Sequence, residues 1–124
     1  MIRLGLCCAL PGADAIIGAF RQCGAFARER GIRITFHPDQ FVLLSARDTA
    51  ITRSSLAELE YQAEVADWLG ADVINLHAGG AYGDKTAALA RMAAVVKTLP
   101  RCIRDRLTFE NDDRVYTPAD LLPF

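Results

Sequence analysis

Neither sign of charge prevails in this chain: 14 Lys and Arg stand against 15 Asp and Glu, a formal net of -1. No global field therefore draws it onto nucleic acid or an anionic membrane, and contact with DNA needs a local basic patch. Arg28, Arg30, Arg33, Arg47 and Arg53 are candidates for one, with a solvated scatter as the default reading. Cysteine is sparse: Cys7, Cys8, Cys23 and Cys102 form neither a C-x-x-C pair nor the density of a secreted disulfide scaffold. They read as reduced core thiols of a cytoplasmic protein. No apolar run is long enough to span a bilayer; residues 1–10 hold one Arg and then an apolar run of about seven residues, the length of a strand. No targeting, membrane, linker or low-complexity segment is visible. A complete eight-fold β/α barrel is excluded as well, because it needs about 200 residues or more and 124 are present.

What the sequence does have is apolar residues. They make up 52%, and nine glycines come on top, where an ordinary soluble domain has about 45–50% with glycine included. That excess argues against disorder and for elements buried on two sides. The pattern alternates short β-like runs with longer helical ones, the signature of βα units and a parallel sheet. Residues 2–8 read as a strand. Residues 14–30 read as a helix with Ile16, Ala19, Phe20, Cys23, Phe26 and Ala27 on its apolar face and Gly31 as its stop. Residues 32–36 follow as a second strand. Ser55 with Glu58 three residues on reads as a capping box that opens a helix running to about Leu69, where Gly70 ends it. Residues 73–76 are a third strand, and Asp84 caps a helix with Leu89, Met92, Val96 and Leu99 inward, stopped by Pro100. Residues 107–109 make a fourth strand, and Thr117-Pro118 opens a last helix.

The informative residues follow the strands. One strand ends in His37-Pro38-Asp39-Gln40-Phe41, the next in His77-Ala78-Gly79-Gly80, and the next in Glu110-Asn111-Asp112-Asp113. In parallel α/β architectures this edge is where sites are built, because the βα loops converge there. Spacings of 40 and 33 residues match one βα unit each, so His37, His77 and Glu110 are expected side by side on one rim. Two imidazoles and a carboxylate suit Mn²⁺ or Zn²⁺, which polarises a phosphate and lowers the pKa of a bound water. A single strand-end His is more often a hydrogen-bonded structural residue. Both histidines of the chain occupy the same structural position, however, and that favours a joint site.

Other residues on the rim carry weaker signals. Gly79, Gly80 and Gly83 around Tyr82 make a permissive loop before the helix N-terminus at Asp84 and Lys85, where N–H groups and Lys85 could hold a phosphate. Gln40 and Phe41 pair an amide with an aromatic ring able to probe and stack on an exposed base, while Phe41 as a core cover is at least as good a reading. Asp113 reads as a solvated charge, and Asp112 is either that or an outer acceptor for a ligand.

At these positions the sequence resembles the UV damage endonucleases. The resemblance rests on His37 to Phe41, on the stretch Asn75 to Lys85, on Leu107 to Asp113, on Arg3-Leu4-Gly5, and on the helix with Leu59-Glu60-Tyr61. It implies an α/β fold, a partial TIM (β/α) barrel with about four parallel strands and helices on the outer face, as a single domain over residues 1–124. It further implies a manganese-dependent DNA repair endonuclease that cuts damaged double-stranded DNA on the 5′ side of ultraviolet photoproducts. Carried over, His37, His77 and Glu110 are metal ligands, and Glu110, His77 and Lys85 form the catalytic set. Gln40 and Phe41 match the pair that wedges into the duplex, although some members have Tyr at the second position. Gly80 and Tyr82 join them as DNA-binding residues. Relatives carry an early βα segment and a C-terminal half that have no counterpart here. An incomplete metal cluster and open sheet edges that seek a partner copy are therefore expected. Two other classes fit the pattern less closely: a xylose-isomerase-like sugar isomerase or epimerase, and a non-catalytic half-barrel that self-associates.

Overall fold

The structure, a computed structural model, describes residues 11–123. In chain order they form α1 (Ala13–Glu29), β1 (Thr35–Phe36), α2 (Thr49–Leu69), β2 (Val73–His77), α3 (Lys85–Thr98), α4 (Arg101–Arg104), β3 (Leu107–Glu110) and α5 (Pro118–Leu121). The sheet order among the described residues is β1-β2-β3, with both pairings parallel. This is an arc of a β/α barrel with three strands; the strand expected over residues 2–8, like Arg3-Leu4-Gly5, Cys7 and Cys8, lies outside the described residues.

Strand periodicity divides the sheet into two chemically distinct faces. Ile74 and Leu76 on β2, with Ala78 just beyond it, are buried against Leu59 and Ala63 of α2 and Met92 of α3. The alternate residues Asn75 and His77 point to the opposite face, which carries no helix among the described residues. Register extends the division across the arc, because Thr35 pairs with Val73, Asn75 with Thr108 and His77 with Glu110. The concave face is therefore largely polar, while the convex face holds the core.

The helix ends follow local chemistry. The Asp84 carboxylate accepts the Ala87 N–H at 2.9 Å and starts α3 as expected. Thr117 and Asp120 cap α5 reciprocally, with Pro118 at its first position. Pro100 does more than stop α3: its fixed backbone also heads α4, a short helix that apolar spacing did not reveal.

Four expectations are corrected. First, α2 begins at Thr49 rather than at Ser55, with Asp48 as its cap accepting the Ala50 N–H at 2.8 Å. Ser55 instead lies mid-helix, only 2% exposed, and its hydroxyl accepts the Leu43 N–H at 2.8 Å. Second, the inward face of α1 runs through Ala13, Ile17, Phe20, Gly24 and Ala27, which leaves Ile16 and Phe26 each 53% exposed. The reason is the α1–α2 crossing: a Cβ at Gly24 would lie 2.2 Å from the Leu69 carbonyl oxygen, so the smallest residue marks the contact. Beside it Phe20 packs on Trp68 with ring centroids 5.9 Å apart. Third, Cys23 and Cys102 are exposed free thiols rather than core residues, Cys23 because the helix is rotated in this way. Fourth, β1 is shorter than residues 32–36. Its ladder opens where β2 opens, and before that Arg33 meets Asp72 through side chains at 2.9 Å.

Candidate metal centre

His37 follows β1, while His77 ends β2 and Glu110 ends β3. Parallel register puts His77 directly opposite Glu110, and the strand period turns all of their side chains to the concave face. The Glu110 carboxylate sits between the imidazoles, with Oε1 2.8 Å from His77 Nδ1 and Oε2 3.1 Å from His37 Nε2. The rings meet edge to face with centroids 4.8 Å apart. Asn75 Nδ2 donates to Glu110 Oε2 at 2.7 Å, and the Thr108 hydroxyl donates to Asn75 Oδ1 at 2.8 Å. The hydrogen bond from His37, helped by His77 and Asn75, holds the Glu110 carboxyl below its ordinary pKa against the opposing effect of burial. Glu110 is thus an anionic acceptor at neutral pH.

These residues fit a divalent ion. One ligand atom from each of His37, His77 and Glu110 lies within 4.8 Å of the others. Neighbouring ligands on an ion with bonds of about 2.1 Å stand about 3 Å apart, close to both His–Glu separations seen here. Two neutral nitrogens and one carboxylate suit Mn²⁺ or Zn²⁺ better than Ca²⁺, which prefers an all-oxygen shell. All three side chains are partly exposed, so an ion has access.

Beside the cluster lies a cleft of about 380 Å³ lined by Gln40, Phe41, Gly80, Glu110 and Asp112 among others. Phe41 is 73% exposed, which rules out the core-cover alternative. Its N–H is fixed by the Asp39 carboxylate at 2.9 Å, a local turn that lifts the ring onto the rim. The Gly79 loop is locked to the Phe41 loop behind it: Ser45 Oγ donates to Ala78 O at 2.9 Å, and Gly79 has φ 83 where a Cβ would lie 2.9 Å from Ser45 Oγ. Arg91 Nε reaches across to Ser45 O at 2.9 Å.

Other residues expected in the site are engaged elsewhere. Tyr82 adopts φ 53, its carbonyl accepts from Arg47 Nη2, and the Arg91 guanidinium lies 5.7 Å from its ring centroid. Lys85 Nζ donates to Val115 O at 3.1 Å and to Asp120 at 2.9 Å, which draws the Asp120 carboxyl down to about 2. Lys85 thereby ties α3 to the 112–120 segment. Asp112 accepts the backbone N–H groups of Val115, Arg114 and Tyr116, which hold its carboxyl low and make it a loop organiser. Asp113 is exposed, as expected. Asn75 and Thr108 escaped the sequence reading. Their signal was the strand period itself, since Asn75 stands two residues before His77 and Thr108 two before Glu110.

Comparison with known proteins extends this picture. The model of the UV-endonuclease UvdE family matches residues 12–124. A UV DNA damage endonuclease of Bacillus thuringiensis subsp. konkukian is 41% identical over 113 residues, which cover 86% of this chain and 36% of that protein. One from Bacillus velezensis is 40% identical over 106 residues, 83% of this chain and 33% of the relative. The chain thus spans about a third of the length of these curated relatives. The crystal structure of SacUVDE superposes with a TM-score of 0.82 at 35% identity, over 88% of this chain and 38% of that one. With nearly its whole length matched in sequence and in backbone course, the chain belongs to the UV-endonuclease UvdE family.

Proposed function

We propose that this chain supplies the His37, His77 and Glu110 ligands of a divalent-metal centre, with manganese as the ion, in a cytoplasmic endonuclease that cuts double-stranded DNA on the 5′ side of ultraviolet photoproducts. The observation that carries this reading is the cluster of two imidazole nitrogens and a carboxylate within 4.8 Å, at the C-terminal ends of adjacent parallel strands. Family membership supports a nuclease over a sugar isomerase on a similar barrel. When bound, such a metal lowers the pKa of water and stabilises charge on a phosphodiester.

The chain's own residues then have separate tasks. His37 and His77 offer neutral nitrogens, and Glu110 offers negative charge. Phe41 presents an exposed ring and Gln40 an amide at the lip of the cleft, suited to entering a weakened base step. Gly80 lets a DNA backbone approach that lip closely, and Tyr82, held by Arg47 and Arg91, shapes it. Lys85 serves here by fastening the Asp112 loop, with its charge spent on Asp120. The outer edges of β1 and β3 are unpaired among the described residues, and we take them to drive self-association.

The test is nicking of ultraviolet-irradiated supercoiled plasmid by the purified chain with Mn²⁺, beside undamaged plasmid and a His77→Ala variant. Damage-dependent nicking that is lost with His77 is expected. Equal nicking by the variant would overturn the assignment, and no nicking by a folded chain would deny it the activity.

A further inference from the structure

The concave face holds a polar chain that the ligand set does not use. Asn75 lies two residues before His77 on β2, Thr108 lies two residues before Glu110 on β3, and the parallel register sets Asn75 and Thr108 side by side. Thr108 Oγ1 donates to Asn75 Oδ1 at 2.8 Å, and Asn75 Nδ2 donates to Glu110 Oε2 at 2.7 Å. We infer that Asn75, fixed by Thr108, is the positioning residue that holds the Glu110 carboxylate in its metal-ready orientation. This rests on the reading of His37, His77 and Glu110 as ligands.

A carboxylate only accepts, so a primary amide helps it solely with the nitrogen end turned toward it. Turned the other way, Oδ1 would face Glu110 and repel it. The acceptor-only carboxylate thus turns Nδ2 toward itself, and the Thr108 hydroxyl, which can donate or accept, holds the amide in that orientation by donating to Oδ1.

Among the described residues Glu110 has three contacts at its oxygens: His37, His77 and Asn75. An imidazole nitrogen that gives its lone pair to a cation carries no proton and donates no hydrogen bond to Glu110. The histidine contacts are therefore exchanged for metal bonds, whereas the amide contact competes with nothing. Asn75 is the partner that keeps Glu110 from swinging about its side-chain bonds in both states. Such outer partners commonly govern metal affinity by about 10–100-fold.

Mn²⁺ binding to the full chain, followed by calorimetric titration, tests this directly. Asn75→Ala is expected to weaken binding by about 10–100-fold, with unchanged far-ultraviolet circular dichroism. Thr108→Val, at an exposed position, removes only the hydroxyl and is expected to weaken binding in the same direction by less. Thr108→Ser restores the hydroxyl and is expected to bind as the wild type does. Wild-type affinity in both Asn75→Ala and Thr108→Val, with binding still lost in His77→Ala, would overturn the inference and leave the metal centre standing. Absence of binding in the wild type, or equal binding by His77→Ala, would overturn the metal centre and the inference with it. Should Asn75→Ala fail to fold, equal affinities of Thr108→Val and Thr108→Ser would be decisive against it.

Discussion

The same substitution, glycine to alanine, is expected to act with opposite signs at two positions of α1. At Gly24 a new Cβ would lie 2.2 Å from the Leu69 carbonyl oxygen, 2.7 Å from its carbon and 3.0 Å from its Cα. An ordinary contact is about 3.5 Å, so the overlap exceeds 1 Å and falls on backbone, which has no rotamer to change. α1 must move off α2, taking the Phe20–Trp68 contact with it. Overpacking costs about 1–3 kcal/mol, and a clash with backbone belongs to the upper part of that range. Alanine's better helix propensity returns about 1 kcal/mol, leaving a loss of about 1–2 kcal/mol and a fall in Tm of roughly 4–10 °C. At Gly18, in the same helix, a Cβ meets nothing within 4 Å. There the propensity gain stands alone, and Gly18→Ala is expected to stabilise by about 0.5–1 kcal/mol. Urea denaturation followed by circular dichroism reads both. A stabilising Gly24→Ala would refute the close α1–α2 contact, and with it the inward face assigned to α1.

Ser55→Ala removes the acceptor of the Leu43 N–H, and the cost of an unpaired part-buried donor is about 1–3 kcal/mol in the same urea assay; no change would mean that the hydroxyl does not hold the Leu43 loop. The Asp120 carboxyl titrates at about 2 when folded, against an ordinary 3.8, because Lys85 and Thr117 bind its charged form. A lowered folded pKa gives stability that is complete above the unfolded value and lost as pH falls toward the folded one. The wild-type Tm should therefore fall between about pH 4 and pH 2, and Asp120→Asn should flatten that fall. An unchanged slope in the variant would show that Lys85 does not hold α5 in this way.

The parallel α/β arc was legible because each strand is short, β-branched and followed by a helix with its own punctuation. Asp84, Gly70 and Thr117-Pro118 act where their chemistry predicts, at the ends of helices. Where the structure departs from the sequence expectation, tertiary contacts settle competing local signals. Ser55 and Glu58 have capping-box spacing, yet Asp48 lies a turn and more upstream and caps equally well, so the hydroxyl was free to bind Leu43. In the sequence of α1 large apolar residues outweigh Gly24, whose value at the contact lies in having no side chain. The rim cluster was visible because β/α spacing carries His37, His77 and Glu110 to the same edge. Asn75 and Thr108 were not, because only register shows that they meet. Lys85 looked free in sequence, and its engagement depends on Asp120, 35 residues away.

The proposed centre requires that the chain's two histidines serve one ion together with Glu110. Because there are only these two, the imidazole ¹H–¹⁵N spectrum contains two rings, which His37→Ala assigns at once. Titration with Zn²⁺, as a diamagnetic probe of the site, should shift both rings together, saturating at one equivalent, and Glu110→Ala should weaken the response of both. Rings that shift separately, one ring that shifts alone, or a response indifferent to Glu110 would contradict a shared metal centre.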